Sequence, residues 1–170
     1  MAKTNKMKEI SIAKVTLNIG AGKNEDMLNK GVKLLQKLSP IKPVKTFTKK
    51  RIPGWGLRPG LAIGAKATIR KDTEELLKRL FLAKEKRIAN KSFDEMGNMS
   101  FGIHEYIDIG GLEYDPELKI LGLEVAITLE RPGYRVKKRR IRPTNIGKNQ
   151  QVTKEQAIAF IQEKFGVEVY

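Results

Sequence analysis

The chain has 170 residues, 40% of them hydrophobic, with 34 Lys and Arg against 19 Asp and Glu for a formal net charge of +15. That length suggests one domain, residues 1–170, with a real core, and the charge points to a polyanionic partner such as nucleic acid or an acidic membrane surface. The absence of cysteine excludes disulfides and thiolate zinc sites, and no apolar run approaches the ~20 residues of a spanning helix.

The N-terminal MAKTNKMKEI carries lysines but no apolar centre, so it is not expected to be a secretory leader, and the protein is placed in the cytoplasm. Residues 8–20 alternate. Val15, Leu17 and Ile19 share one face, and Lys14, Thr16 and Asn18 the other, which predicts a half-buried strand. Its polar face offers an ammonium, a hydroxyl and an amide, either solvated or bonded to RNA. Gly20 and Gly22 end it without the lysine spacing of a phosphate loop. Asn24 to Leu38 reads as a helix, with Asn24 as N-cap and Leu28, Val32, Leu35 and Leu38 as its apolar stripe. Pro40 and Pro43 stop it.

Thr46 to Arg70 reads as two extended arms, one ending near Lys50 and one starting near Leu61. Between them, a loop over about 49–62 carries Lys49, Lys50, Arg51, Arg58, two prolines, three glycines and the single tryptophan, Trp55. A simple turn needs about two to five residues, so a loop this long must justify its ordering entropy. An aromatic among cations suits phosphates and stacked bases; the plainer reading is a flexible tip with Trp55 folded back. In the second arm Ile63, Ala65, Ala67 and Ile69 share one face, and Lys66, Thr68 and Arg70 the other.

Asp72 is expected to cap a second helix, with Glu75 completing a capping box and Leu76, Leu77, Leu80, Phe81 and Ile88 as its buried stripe. Asn90 to Met99 reads as a loop, and Phe101 to Ile109 as a strand with Ile103, Ile107 and Ile109 on one side. Leu121 to Leu129 is a strand with five apolar residues inward and Glu124, Ala126, Thr128 and Glu130 opposite. A basic arm over about 131–150 follows. It carries Lys137, Lys138, Arg139, Arg140 and Arg142, five cations in six residues, a pattern expected of a solvated arm that orders on a polyanion. Thr153 and Gln156 form a second capping box for a last helix with Ala157, Phe160, Ile161 and Phe165 inward. Gly166 ends it, and Val167 to Tyr170 could add a short strand.

The order βα, ββα, ββ, α predicts an α+β fold: an antiparallel sheet with helices packed on one face, in the split βαβ or ferredoxin-like style, with a long hairpin loop. Lys14, Thr16, Asn18, Lys66, Thr68 and Arg70 then lie together on the sheet's other face. Catalytic constellations are absent from the pattern. His104 is the single histidine and is placed in mid-strand, without the positioned partners a working base needs. Carboxylates at Asp94, Glu95, Glu113, Asp115 and Glu117 fall in loops, where they could form an acidic patch for a basic partner. No catalytic or metal-binding residue and no cofactor is therefore expected.

Four segments carry a resemblance: VTLNIGAG (15–22), KPVKTFTKKRIPGWGLRPGLAIGAKATIR (42–70), KSFDEMGNMSFGIHEY (91–106) and LGLEVAITLERPGYRVKKRR (121–140). In order and spacing the chain resembles the family of large-subunit ribosomal protein five, in its archaeal-type form, over nearly its whole length. The resemblance implies a non-enzymatic scaffold, a monomer within the ribosome, that binds 5S rRNA through the polar face of the sheet and attaches it in the central protuberance. Asn18 and Thr68 match the family's RNA-bonding residues. The resemblance further implies contact with large-subunit rRNA, with the elbow of P-site tRNA through the 49–62 loop, and with small-subunit ribosomal protein thirteen through about Glu105 to Glu124. Ile41 stands where the family commonly has glutamine, so that one contact is not carried over. Trp55 stands where members often have phenylalanine. The helical stretch that opens the bacterial form is not found, and the basic arm is typical of the archaeal and eukaryotic branch. The competing reading is a free-standing single-stranded RNA-binding module of the recognition-motif type. That module's aromatic signature strand is absent. A nucleic-acid-modifying enzyme ranks third, without a constellation to support it.

Overall fold

The computed structural model describes residues 5–170; residues 1–4, the start of the lysine-bearing N-terminus, lie outside the described part. Alternation builds the first strand, β1, over Ser11–Gly20. Val15, Leu17 and Ile19 are buried on one side, and Lys14, Thr16 and Asn18 are half-buried on the other. Helix α1 covers Glu25–Leu38, and the Asn24 carboxamide oxygen accepts from the Met27 N–H at 3.2 Å, satisfying one orphan donor of the first turn. Its buried stripe is Leu28, Gly31, Leu34, Leu35 and Leu38; Val32 lies at the margin.

The elements that follow are β2 (Val44–Phe47), β3 (Ala62–Ile69), α2 (Thr73–Ala83), β4 (Arg87–Ile88), β5 (Met99–Ile103), β6 (Leu123–Glu130), α3 (Arg135–Lys138), α4 (Lys154–Phe165) and β7 (Glu168–Val169). Five strands form one sheet in the order β2-β3-β1-β6-β5, every pair antiparallel. The helices pack on one face of it, as the order of elements predicts. Leu121, Leu123, Val125, Ile127 and Leu129 are all buried under them. Each such side chain removed from water contributes about 1.5–3 kcal/mol. Phe81 of α2 stacks on Phe101 of β5 at 5.5 Å and meets Phe165 of α4 at 5.1 Å, so one aromatic cluster joins two helices to the sheet.

Three expectations are corrected, and one expected strand lies outside the main sheet. Helix α2 stops at Ala83, so Ile88 is buried from strand β4 and not from the helix. Glu85 and Lys86 both take positive φ there, and the Lys86 N–H closes the turn on the Phe81 carbonyl at 2.8 Å. Asp72 does occupy the N-cap position, but in a left-handed conformation (φ 52°) and without a side-chain capping bond, so the Asp72–Glu75 capping box is not formed. Strand β5 starts earlier than expected and ends at Ile103, placing His104 beyond the strand. The chain then turns through Tyr106–Asp108, which buries Tyr106 and Ile109 and turns Ile107 outward. Gly122 permits this turn: a Cβ there would sit 2.8 Å from the His104 carbonyl oxygen. Finally, the C-terminal strand forms, but β7 pairs in parallel with β4, outside the main sheet. The second capping box matches its expectation, with the Gln156 side chain accepting from the Thr153 N–H at 3.3 Å.

Candidate nucleic-acid interface

Register assembles the open face of the sheet. Antiparallel pairing sets Asn18 beside Lys66 on one side and Glu124 on the other, and Thr16 beside Thr68 and Ala126. Lys14 stands opposite Thr128, after an irregularity between Ile12 and Lys14. Ser100 and Gly102 of β5 extend these rows at the far edge. Lys14, Thr16, Asn18, Lys66 and Thr68 are thus brought together, away from the helices. Arg70 falls one residue past the end of β3 and is exposed at the rim. Ile41 shares a cleft there with Thr68 and Arg70.

The amide of Asn18 is not wholly free. Its Nδ2 donates to the Glu124 carboxylate at 3.0 Å, so only its oxygen and its second N–H remain for a ligand. Alternation places both residues on the polar side, but their contact joins positions 106 apart in the chain and depends on register.

The loop between β2 and β3 is a built structure. Its base is closed by Thr48 N–H to the Leu61 carbonyl (2.9 Å) and Gly60 N–H to the Thr48 carbonyl (3.0 Å). Its tip is a miniature hairpin in which Ile52 and Leu57 exchange two backbone bonds of 3.1 Å around the turn Pro53–Trp55. Leu57 is buried, and Trp55 stands 71% exposed at the apex, so the folded-back alternative for Trp55 is rejected. Lys49, Lys50, Arg51 and Arg58 are exposed around it.

The run 137–142 is exposed as expected, but the arm that carries it is docked on the domain rather than free. Arg131 donates to the Asn149 carbonyl (3.1 Å) and to the Gln156 side chain (2.8 Å). The Tyr134 hydroxyl accepts from the Val152 N–H (3.1 Å) and donates to the Gln150 carbonyl (3.3 Å). Lys138 pairs with Glu130 at the end of β6, and Arg139 binds the Arg142 carbonyl at 2.8 Å. Lys137, Arg140 and Arg142 are exposed and have no carboxylate partner among the described residues.

The expected acidic patch is also reduced. Asp115 pairs with Lys37 at 2.5 Å and Glu117 with Lys33 at 2.7 Å, both lysines on α1. The Lys37 ammonium, helped by the Glu117 N–H, holds the Asp115 carboxyl below its ordinary value, and Glu117 raises Lys33. Glu113 remains unpaired among the described residues, beside the exposed Tyr114. His104 makes no side-chain hydrogen bond among the described residues, where no cluster of three metal-ligating side chains occurs either.

The sequence profile described as "Ribosomal protein L5" matches residues 5–58, and a second profile, for the C-terminus of the same ribosomal family, matches residues 62–160. The chain belongs to the ribosomal protein L5 family. It is 47% identical to the large ribosomal subunit protein uL5 of Nanoarchaeum equitans, over 96% of this chain and 97% of that protein. It is 45% identical to the uL5 of Sulfolobus acidocaldarius, over 98% and 94%. With the uL5 of Methanosphaera stadtmanae the identity is 39%, over 97% and 99%. A member of this family is a structural, non-enzymatic protein of the large subunit, and its place is the cytoplasmic ribosome.

Proposed function

We propose that this chain binds 5S rRNA with the open face of its sheet and attaches it, with large-subunit rRNA, in the central protuberance. The observation that carries the reading is the convergence of Lys14, Thr16, Asn18, Lys66 and Thr68 on one rigid face whose reverse is covered by helices. The ammonium groups neutralise phosphates, while the hydroxyls and the amide meet 2′-hydroxyls and base edges. The 170 residues act as one unit and a monomer. The loop over about 49–62 reaches P-site tRNA, with Trp55 as a flat contact among Lys49, Lys50, Arg51 and Arg58. The segment 105–124 meets small-subunit ribosomal protein thirteen, using Glu113 and the exposed Tyr114 and Ile120 in place of the ion-paired Asp115 and Glu117. Lys137, Arg140 and Arg142 supply further phosphate contacts from the arm.

The Asn18→Ala variant tests the sheet face. Its affinity for a 5S rRNA transcript should fall by about 1–3 kcal/mol, because an RNA group and Glu124 both lose a partner. Binding as tight as the parent's would reject the assignment.

A further inference from the structure

Glu130 on the open face is neutralised by Lys138, but a second carboxylate there is not. Glu124 projects from the middle of the open face, directly opposite Asn18, on a chain with a net charge of +15. The Asn18 amide fixes it through Oε2 at 3.0 Å. No lysine or arginine bridges it, and its Oε1 has no partner among the described residues. On its other side in register lies Gly102, where a Cβ would meet nothing within 4 Å. Ser100 and Ala126 keep the next row low. The result is an open recess of about 530 Å³, lined by Thr16, Asn18, Ser92, Ser100, Gly102 and Glu124.

An ionised carboxylate only accepts hydrogen bonds. It repels a phosphate, so what enters this recess must bring a donor. The wide, shallow groove of an RNA helix, the groove a flat sheet can approach, displays 2′-hydroxyls and base edges. The one base donor on that side is the 2-amino group of guanine. We infer that the recess receives one guanine of the bound RNA, its 2-amino group donating to Glu124. Glu124 is then a specificity determinant. It turns the backbone away from the centre of the face and sets the register in which the surrounding lysines meet phosphates. The inference rests on the 5S rRNA reading above and adds to it a base identity and the residue that selects it.

The test uses 5S rRNA transcripts in which inosine, which lacks only the 2-amino group, replaces guanosine at random. Protein-bound transcripts are selected and mapped by cleavage at a phosphorothioate tag beside each inosine. With the parent protein, at least one guanosine position should exclude inosine by about tenfold. That exclusion should vanish with Glu124→Ala. It should also vanish with Gly102→Val, which fills the recess from a position with room for the side chain, so the test survives if one variant fails to fold. The inference is overturned if no position in the parent excludes inosine, or if the same position still does so with the folded variants. Sensitivity to 2′-deoxy substitution alone would also overturn it, by assigning Glu124 to a ribose hydroxyl. A parent protein that binds no 5S rRNA at all would instead reject the functional reading itself.

Discussion

Asn18 has two hydrogen-bonding ends, and the fold engages one of them. Period-two alternation placed it on the polar side of β1, and Glu124 on the polar side of β6, from the residues alone. Their contact was not legible, because it needs the register of two strands 106 residues apart. The same holds for Asp115 and Glu117. As sequence they read as free acid; in the fold, α1 brings Lys37 and Lys33 to them. The ion pair makes a pH-dependent statement. Asp115 is held below its ordinary value near 3.8, so its contribution is fully present above that value. The contribution is lost as pH falls through the lowered one, when the folded carboxyl finally takes a proton. A carbon NMR titration should show the Asp115 carboxyl changing state below pH 3.8, and Lys37→Met should move the midpoint upward. An unmoved midpoint would mean that the pair does not persist in solution.

At the scale of elements, strong alternation and caps with the right side chains were readable: β3, α1 and α4 appear where pattern and capping residues place them, and β1 and β6 form but start later than expected, at Ser11 and Leu123. The ends of α2 and β5 were not. Glu85 and Lys86 leave the helix through positive φ without a glycine to announce it, and Tyr106 is buried by a turn that the spacing of Ile103, Ile107 and Ile109 concealed. Cation density marked the exposed run 137–142 but not the docking around it, which Arg131, Tyr134, Gln150 and Gln156 supply. Tyr134→Phe should destabilise the fold by about 1–2 kcal/mol in urea unfolding, because the buried Val152 N–H loses its partner. No loss would mean that the arm is not docked in solution. The loop is the opposite case. Its backbone bonds are internal, so removing residues 51–58 should leave 5S rRNA affinity within about 0.5 kcal/mol of the parent's. A large loss would show that the tip belongs to the 5S contact.

Across the whole molecule, one layer of helices leaves one face of the sheet open, and that face receives the short polar side chains of four strands. Backbone register, more than charge count, decides which cations work together: Lys66 stands beside Asn18, while Lys138 faces Glu130. The family was legible from four ordered segments, and the open face from alternation; the contacts within that face required coordinates. The most direct test places a photoreactive amino acid at Lys66 on the open face, or at the exposed Gln36 on α1 across the sheet, and irradiates each variant with 5S rRNA. The expected result is a crosslink to the RNA from position 66 and none from position 36. A crosslink from position 36 with none from 66 would place the RNA on the helical side and contradict the central claim.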